Sequence, residues 1–309
     1  MVSRGGAKYD TNEPWSKEAI IILQDVKGPI DMGRPDGTLV KGLPKYRRMM
    51  PFMLRTKNES MVQSEVLIRA EEGVRFAERM SVEYGMKVTY FHLLLHSLFK
   101  TFVAYPEINR FIAGRRLYQR KGIWFTFSVK KEVEGKASLS IVKREFKPDF
   151  SLEDTIKAAR KDTKRGRSKR PDAAEKEAGG YLFLPRFVIV LGFPFYLLVD
   201  YFGLFTDSYI RKEPLWTSVF LANVGIFGVD STYHHLYEVG NCPIFISIGQ
   251  IEDRVVAEDG KPVVRKVLPL KVNVDERVND GFYFFNALHY FKENLEHPER
   301  LLEPPERVE

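Results

Sequence analysis

The sequence predicts one large domain of mixed α and β structure, and three observations lead there. The 309 residues are 44% hydrophobic and 29% charged, which gives enough apolar side chains for a substantial core and rules out fibrous, collagenous and wholly disordered chains. Short runs with strand-like alternation are interleaved with segments of helical spacing. No repeat of 20 to 50 residues is visible, so solenoids and propellers are not expected.

The first forty residues are rich in Gly, Pro and Asp, as in DVKGPIDMGRPDGTL, and read as an extended arm with turns. YRRMMPFML (Tyr46 to Leu54) starts a helix that Pro51 should interrupt, and SMVQSEVLIRAE alternates like a strand. Glu72 to Tyr84 is an amphipathic helix. VTYFHLLLHSLFKTFVAY (Val88 to Tyr105) is apolar nearly all round and ends at Pro106, which marks a buried helix. His92 and His96 on it are spaced to present two metal ligands on one face, or to sit in the core. No HExxH pattern or third ligand accompanies them, and no metal is expected.

Leu117 to Glu145 contains three strand-like runs, and Ser151 caps a helix running to Lys161. The C-terminal third is strand-rich: Trp216 to Val224, Pro243 to Ile251, Val255 to Ala257 and Pro262 to Val274, with Glu258-Asp259-Gly260 turning between the last two. A final helix runs from near Gly281 to Glu296, ahead of Pro298. The last residues form a polar, Pro-rich tail.

The formal charge of +7 is local: KAARKDTKRGRSKRPDAAEK (Lys157 to Lys176) carries most of the excess. No helix-turn-helix, zinc-finger or aromatic RNA-binding signature accompanies it, so nucleic acid is not an expected partner. The run reads as a solvated loop, or as a surface for anionic lipid or an acidic partner through Arg165, Arg167, Lys169 and Arg170. The single Cys242 excludes an intramolecular disulfide framework and favours a reducing, cytoplasmic compartment. The N-terminus has no apolar signal core or cleavage pattern, so secretion is not expected.

After the basic run comes YLFLPRFVIVLGFPFYLLVDYFGLF, Tyr181 to Phe205. As one helix, Tyr181 to Val199 would span about 28 Å against a bilayer core of about 30 Å. Pro185, Arg186 and Pro194 argue against a clean span and predict two short helices broken near Gly192-Phe193-Pro194. These would lie in a membrane interface, peripheral to the bilayer, or pack on another subunit or an acyl pocket, with Phe187, Phe193, Phe195 and Tyr196 as contact residues.

The block from Trp216 onward is more specific. SVFLANVGIFGVDS (Ser218 to Ser231), NCPIFISIGQIEDRVVAEDGKPVVRKVLPLKVNVDERVNDG (Asn241 to Gly281) and FYFFNALHYFKENLEHPERLL, with YPEINRFIAGRRLYQRKGIWFTFSV upstream, resemble the catalytic domain of the dihydrolipoamide acyltransferases of 2-oxo acid dehydrogenase complexes, and more distantly chloramphenicol acetyltransferase. The resemblance implies a two-layer α/β sandwich with a mixed sheet flanked by helices, assembled as a homotrimer or a multiple of trimers with sites between subunits. It implies coenzyme A thioesters as acyl donors and leaves room for a related acyltransferase subunit as partner. The chain divides into an arm (1–44), the acyltransferase-like domain (45–302) with an inserted basic and apolar region (163–213), and a tail (303–309). Nothing before Tyr46 resembles a lipoyl or subunit-binding domain, so no lipoyl group is expected on this chain.

The family's motif HRVxDG supplies a His as general base, and a Ser or Thr hydroxyl on the strand before N-x-G stabilises the oxyanion. Here the motif reads Glu276-Arg277-Val278-Asn279-Asp280-Gly281, and the hydroxyl position before Asn223 and Gly225 is Ala222. By the same resemblance, Arg277 and Asp280 are the pair that fixes the loop aiming the base. Glu276 and Asp280 hold the degenerate catalytic positions, and His235, beside His234, is a candidate substitute base. An ordinary carboxyl taking a proton from a thiol works against a gap of about 5 to 6 kcal/mol, roughly twice the gap for imidazole. A lost oxyanion donor adds about 3 to 4 kcal/mol. The sequence therefore predicts a scaffold or binding homologue with weak or no acyl transfer. The alternative is an active acyltransferase with an altered base, acting on an apolar or membrane-derived acceptor.

Overall fold

The computed structural model describes residues 34–133, 136–167, 183–305 and 307. In chain order the elements are β1 (Gly37–Leu39), α1 (Lys45–Met53), β2 (Met61–Arg69), α2 (Glu71–Glu83), α3 (Tyr90–Ala104), β3 (Arg110–Ala113), β4 (Arg116–Arg120), β5 (Ile123–Val133) and β6 (Lys136–Phe146). They continue with α4 (Leu152–Gly166), α5 (Arg186–Tyr201), α6 (Asp207–Lys212), β7 (Val219–Asn223), β8 (Ile244–Ile248), β9 (Glu252–Glu258), β10 (Lys261–Asp275) and α7 (Gly281–Glu296).

The main sheet has the order β2-β10-β8-β7-β5-β6, with β9 paired to the first half of β10. The β5–β7 and β7–β8 pairs are parallel and the others antiparallel, so the sheet is mixed. Alternation decides which face is covered. Val219 and Leu221 of β7, Ile244, Ile246 and Ile248 of β8, and Leu268, Leu270 and Val272 of β10 point into a core closed by α2, α3, α4 and α7. Phe220, Ala222, Phe245 and Ser247 point to the other face, part of which is covered by the segment around Leu236 and Cys242. A second sheet, β1-β4-β3, includes residues 37–39, while residues 1–33, most of the segment expected as an arm, lie outside the described residues.

Local chemistry sets the boundaries. Ser151 caps α4, accepting from the Asp154 amide while Asp154 accepts from the Ser151 amide. Asp259 and Gly260 both have positive φ, making the two-residue turn that joins β9 to β10. Helix α3 is buried along nearly its whole length, as its all-round apolarity predicts. Its histidines are core residues. His92 Nδ1 accepts from the Thr89 amide, and His96 Nδ1 lies 2.9 Å from the Thr155 hydroxyl. Among the described residues no group of three His, Cys, Asp or Glu side chains could hold a metal ion.

Two expectations are corrected. Pro51 does not interrupt α1, which runs on to Met53 and ends within a turn of the proline. The apolar run is one continuous helix, α5, with Pro194 inside it. Pro194 forfeits one intrahelical bond, whereas splitting the run would create two new helix ends with up to about four unpaired groups each. Helix α4 continues to Gly166, where a Cβ would lie 3.1 Å from Val142, so the start of the segment expected as an insertion packs on the sheet.

Candidate functional site

The loop after β10 is set by a buried ion pair. Arg277 donates from Nε and Nη2 to the two oxygens of Asp275, at 2.8 and 2.7 Å, and both side chains are buried. The Asp275 carboxylate also accepts from the Ser60 hydroxyl at 2.9 Å and the Arg277 amide at 3.1 Å, while Arg277 Nη1 donates to the Leu54 carbonyl. The Glu276 amide donates to the Ser60 carbonyl, and Arg47 of α1 donates to the Glu276 carbonyl. The backbone of residue 276 is thus held on both sides. Its carboxylate is exposed and makes no hydrogen bond or ion pair among the described residues.

The resemblance gives Arg277 and Asp280 to the loop, and in the structure each makes its own contacts there. Arg277 is engaged by Asp275, two residues before it, and by the Leu54 carbonyl, and Asp280 caps α7 by accepting from the Tyr283 amide at 2.8 Å. Both residues still order the loop, through separate contacts. Gly281 starts α7, where a Cβ would make only ordinary contact with the Phe285 ring.

A cavity of about 540 Å³ opens between α1, the loop and the start of α7. Met50, Met53, Val62, Val274, Phe284 and Phe285 make its walls apolar, with Glu276 and Asp280 at its edge. Arg47 lines it, and Lys45 and Arg48 are exposed on the same short helix. Such a site suits an apolar group carried by an anionic head.

The other positions lie elsewhere. Ala222, half-buried on β7, pairs with Ser247 of β8, which pairs in turn with Lys271 of β10. By strand spacing, Ala222 is on the order of 15–20 Å from Glu276 within one chain. The neighbouring hydroxyl of Ser247 is buried and accepts from the Thr232 amide. Gly225 follows Asn223 at the end of β7, and a Cβ there would lie 2.3 Å from the Gly249 carbonyl oxygen, so glycine is required. His235 is exposed and its ring stacks on His234, 4.3 Å away, which stacks on Phe245 in turn. Its ring contacts are with His234 and Tyr237, not with the cavity. Arg165 and Arg167 are exposed at the end of α4, while Lys169 and Arg170 lie outside the described residues. Phe187, Phe193 and Phe195 are exposed on α5. Tyr196 instead turns inward, its hydroxyl 3.0 Å from that of Tyr209 and its ring packed on Phe205 and Trp216, because the base of α5 meets the domain there.

Sequence reasoning missed Arg47, Ser60 and Asp275. For Asp275 a signal existed, an Asp two residues before an Arg at a strand end. For α1 the only signal was its mixture of basic, aromatic and Met residues.

Residues 217–303 match the family model of the 2-oxoacid dehydrogenases acyltransferase catalytic domain. No curated protein matches the chain. Among solved structures, the dihydrolipoamide acetyltransferase of Azotobacter vinelandii, studied for the role of a serine, a histidine and an asparagine in its catalytic mechanism, is 16% identical with a TM-score of 0.54, over 85% of this chain and 94% of that one. A probable dihydrolipoamide acetyltransferase from Listeria monocytogenes is 14% identical with a TM-score of 0.52, over 84% and 95%. The cubic core of a pyruvate dehydrogenase multienzyme complex is 15% identical with a TM-score of 0.53, over 90% and 99%. Chloramphenicol acetyltransferase is 14% identical with a TM-score of 0.50, over 86% and 99%. The chain has their fold, a mixed sheet flanked by helices, and its C-terminal part carries the acyltransferase family's sequence pattern.

Proposed function

We propose that this chain is a trimeric scaffold or binding protein of acyltransferase type, with weak or no acyl transfer. The observation that carries the reading is the cavity beside residue 276. Its apolar walls and rigid loop support binding, while a solvated carboxylate is a poor base for a thiol or hydroxyl. The Azotobacter vinelandii enzyme was studied at a histidine and an asparagine four positions apart, the spacing of Glu276 and Asp280 here. The wide separation of Glu276 and Ala222 in one chain supports assembly, since only a neighbouring copy could bring the two positions together. Homotrimers, or multiples of them, are the assembly we propose, with a related acyltransferase subunit as a further partner and the cytoplasm as the compartment. This reading needs neither a lipoyl group on the chain nor a metal.

The test is acyl transfer from short-chain and long-chain acyl-CoA to thiol and alcohol acceptors, with light scattering for the assembly. Turnover at or near the uncatalysed rate is expected. Robust turnover that disappears in Glu276→Gln would overturn the reading.

A second reading is favoured by Lys45, Arg47 and Arg48, whose charges beside an apolar cavity match an acyl-CoA. In it Glu276 takes the acceptor's proton, the acceptor attacks the thioester carbonyl, and the tetrahedral intermediate expels the CoA thiolate. His235 could substitute for Glu276 only across a subunit boundary. No binding of acyl-CoA by calorimetry would remove this second reading.

A further inference from the structure

Helix α5 is the only described α-helix that buries none of its residues. Its surface is apolar all round. At 100° per residue, Phe187, Leu191, Phe195 and Leu198 lie along one side, Ile189 and Phe193 face the opposite way, and Val190 and Leu197 fill the space between. Leu191 is 74% exposed, Phe195 69% and Phe187 65%. No charged residue lies between Arg186 and Asp200.

Among the described residues, α5 is tied down through its C-terminal half. Arg34 donates to the Asp200 carboxylate at 2.7 Å, the Trp216 indole donates to the same carboxylate at 3.2 Å, and the Tyr201 carbonyl lies so close to Gly114 that a Cβ there would be 2.4 Å from it. Tyr196, on the side of the helix that faces the domain, packs on Phe205 and Trp216, and among the described residues the other sides of α5 are bare.

We infer that α5 is an anchor that embeds this protein in one leaflet of an anionic bilayer. Two observations select lipid over a protein partner. A groove on another protein covers one face of a helix, whereas acyl chains solvate every open side, and α5 is apolar on every side but the one that Tyr196 turns to the domain. The charge that precedes it in the chain is also of the right sign. Lys164, Arg165 and Arg167 are exposed at the end of α4, and the run Lys157 to Lys176 has nine basic residues against three acidic ones. Sixteen residues make α5 about 24 Å long, shorter than a bilayer core of about 30 Å. No described helix is long and apolar enough to cross a membrane, which agrees with an anchor that enters one leaflet.

The test is flotation of the full chain with vesicles of equal parts phosphatidylcholine and phosphatidylglycerol. The wild type is expected to float. A variant combining Phe187→Ser, Leu191→Ser, Phe195→Ser and Leu198→Ser, all at exposed positions, should melt like the wild type and partition at least about tenfold less onto the vesicles. Leu191→Trp should give indole fluorescence that brominated lipids quench. A wild type that stays at the bottom of the gradient overturns the proposal, as does a serine variant that floats equally well. So does an oligomer that the serine variant dissociates while neither protein floats, since a second copy then covers the helix.

Discussion

Arg277 and Asp275 form a buried pair with two parallel hydrogen bonds, and the exposed Glu276 lies between them in sequence. The rigid part of the loop and its chemical position are therefore adjacent but separate. Arg277→Met leaves the Asp275 carboxylate buried without its cation, for which a loss of about 3–5 kcal/mol is expected in chemical denaturation. Arg277→Met with Asp275→Leu should recover much of it, since no buried charge remains.

Installing the acyltransferases' residue types tests whether the proposed weakness of acyl transfer is set at these two positions. Glu276→His combined with Ala222→Ser should raise acyl transfer over the wild type by between about a hundredfold and ten-thousandfold, measured by release of free CoA thiol. The fold need not change, since Glu276 is exposed and Ala222 is half-buried. An unchanged rate would mean that the two positions do not meet in the assembly.

Stability should depend on pH through α3. Burial, with Arg160 nearby, lowers the pKa of His92 from 6.5 to about 4, and burial, with Lys100 nearby, lowers that of His96 from 6.5 to about 3. Between pH 6.5 and about 4 the unfolded chain takes up protons that the folded chain refuses. Stability should then fall as the pH falls through that window, by about 1.4 kcal/mol per pH unit for each histidine at most. Urea titrations at several pH values would show the slope, and His96→Asn should reduce it.

Gly225 closes the backbone contact between the ends of β7 and β8. Gly225→Ala would press a methyl group against the Gly249 carbonyl and should lower the melting temperature, at a cost of about 1–3 kcal/mol or more. Gly281→Ala, at a position with room for a methyl group, should cost far less.

Features encoded within a few residues were legible in the sequence. Helix α7 could be bounded from Gly281 at one end and Pro298 at the other, Ser151 marked the start of α4, and Asp259-Gly260 marked a hairpin. The cavity was not legible, because it forms where α1 meets a loop more than two hundred residues away through Arg47 and Glu276. The partner of Arg277 was not legible for a local reason. Asp275 and Asp280 are both within reach in sequence, and only the end of β10 decides that Asp275 turns inward. At Pro194 a rule about one residue was outweighed by the backbone bonds of the whole run.

Helix α5 also has a place in time. The sheet's middle strands β7, β8 and β10 all follow it in the chain, and before they are made β2 and the β5–β6 hairpin have no strand connecting them. Arg34 and Asp200, which secure its base, are 166 residues apart, and contacts of such separation close late. During synthesis the most apolar of the described helices therefore leaves the ribosome before there is a core to compete for it. Its position in the chain thus bears less on the stability of the finished fold than on the yield with which nascent chains reach it.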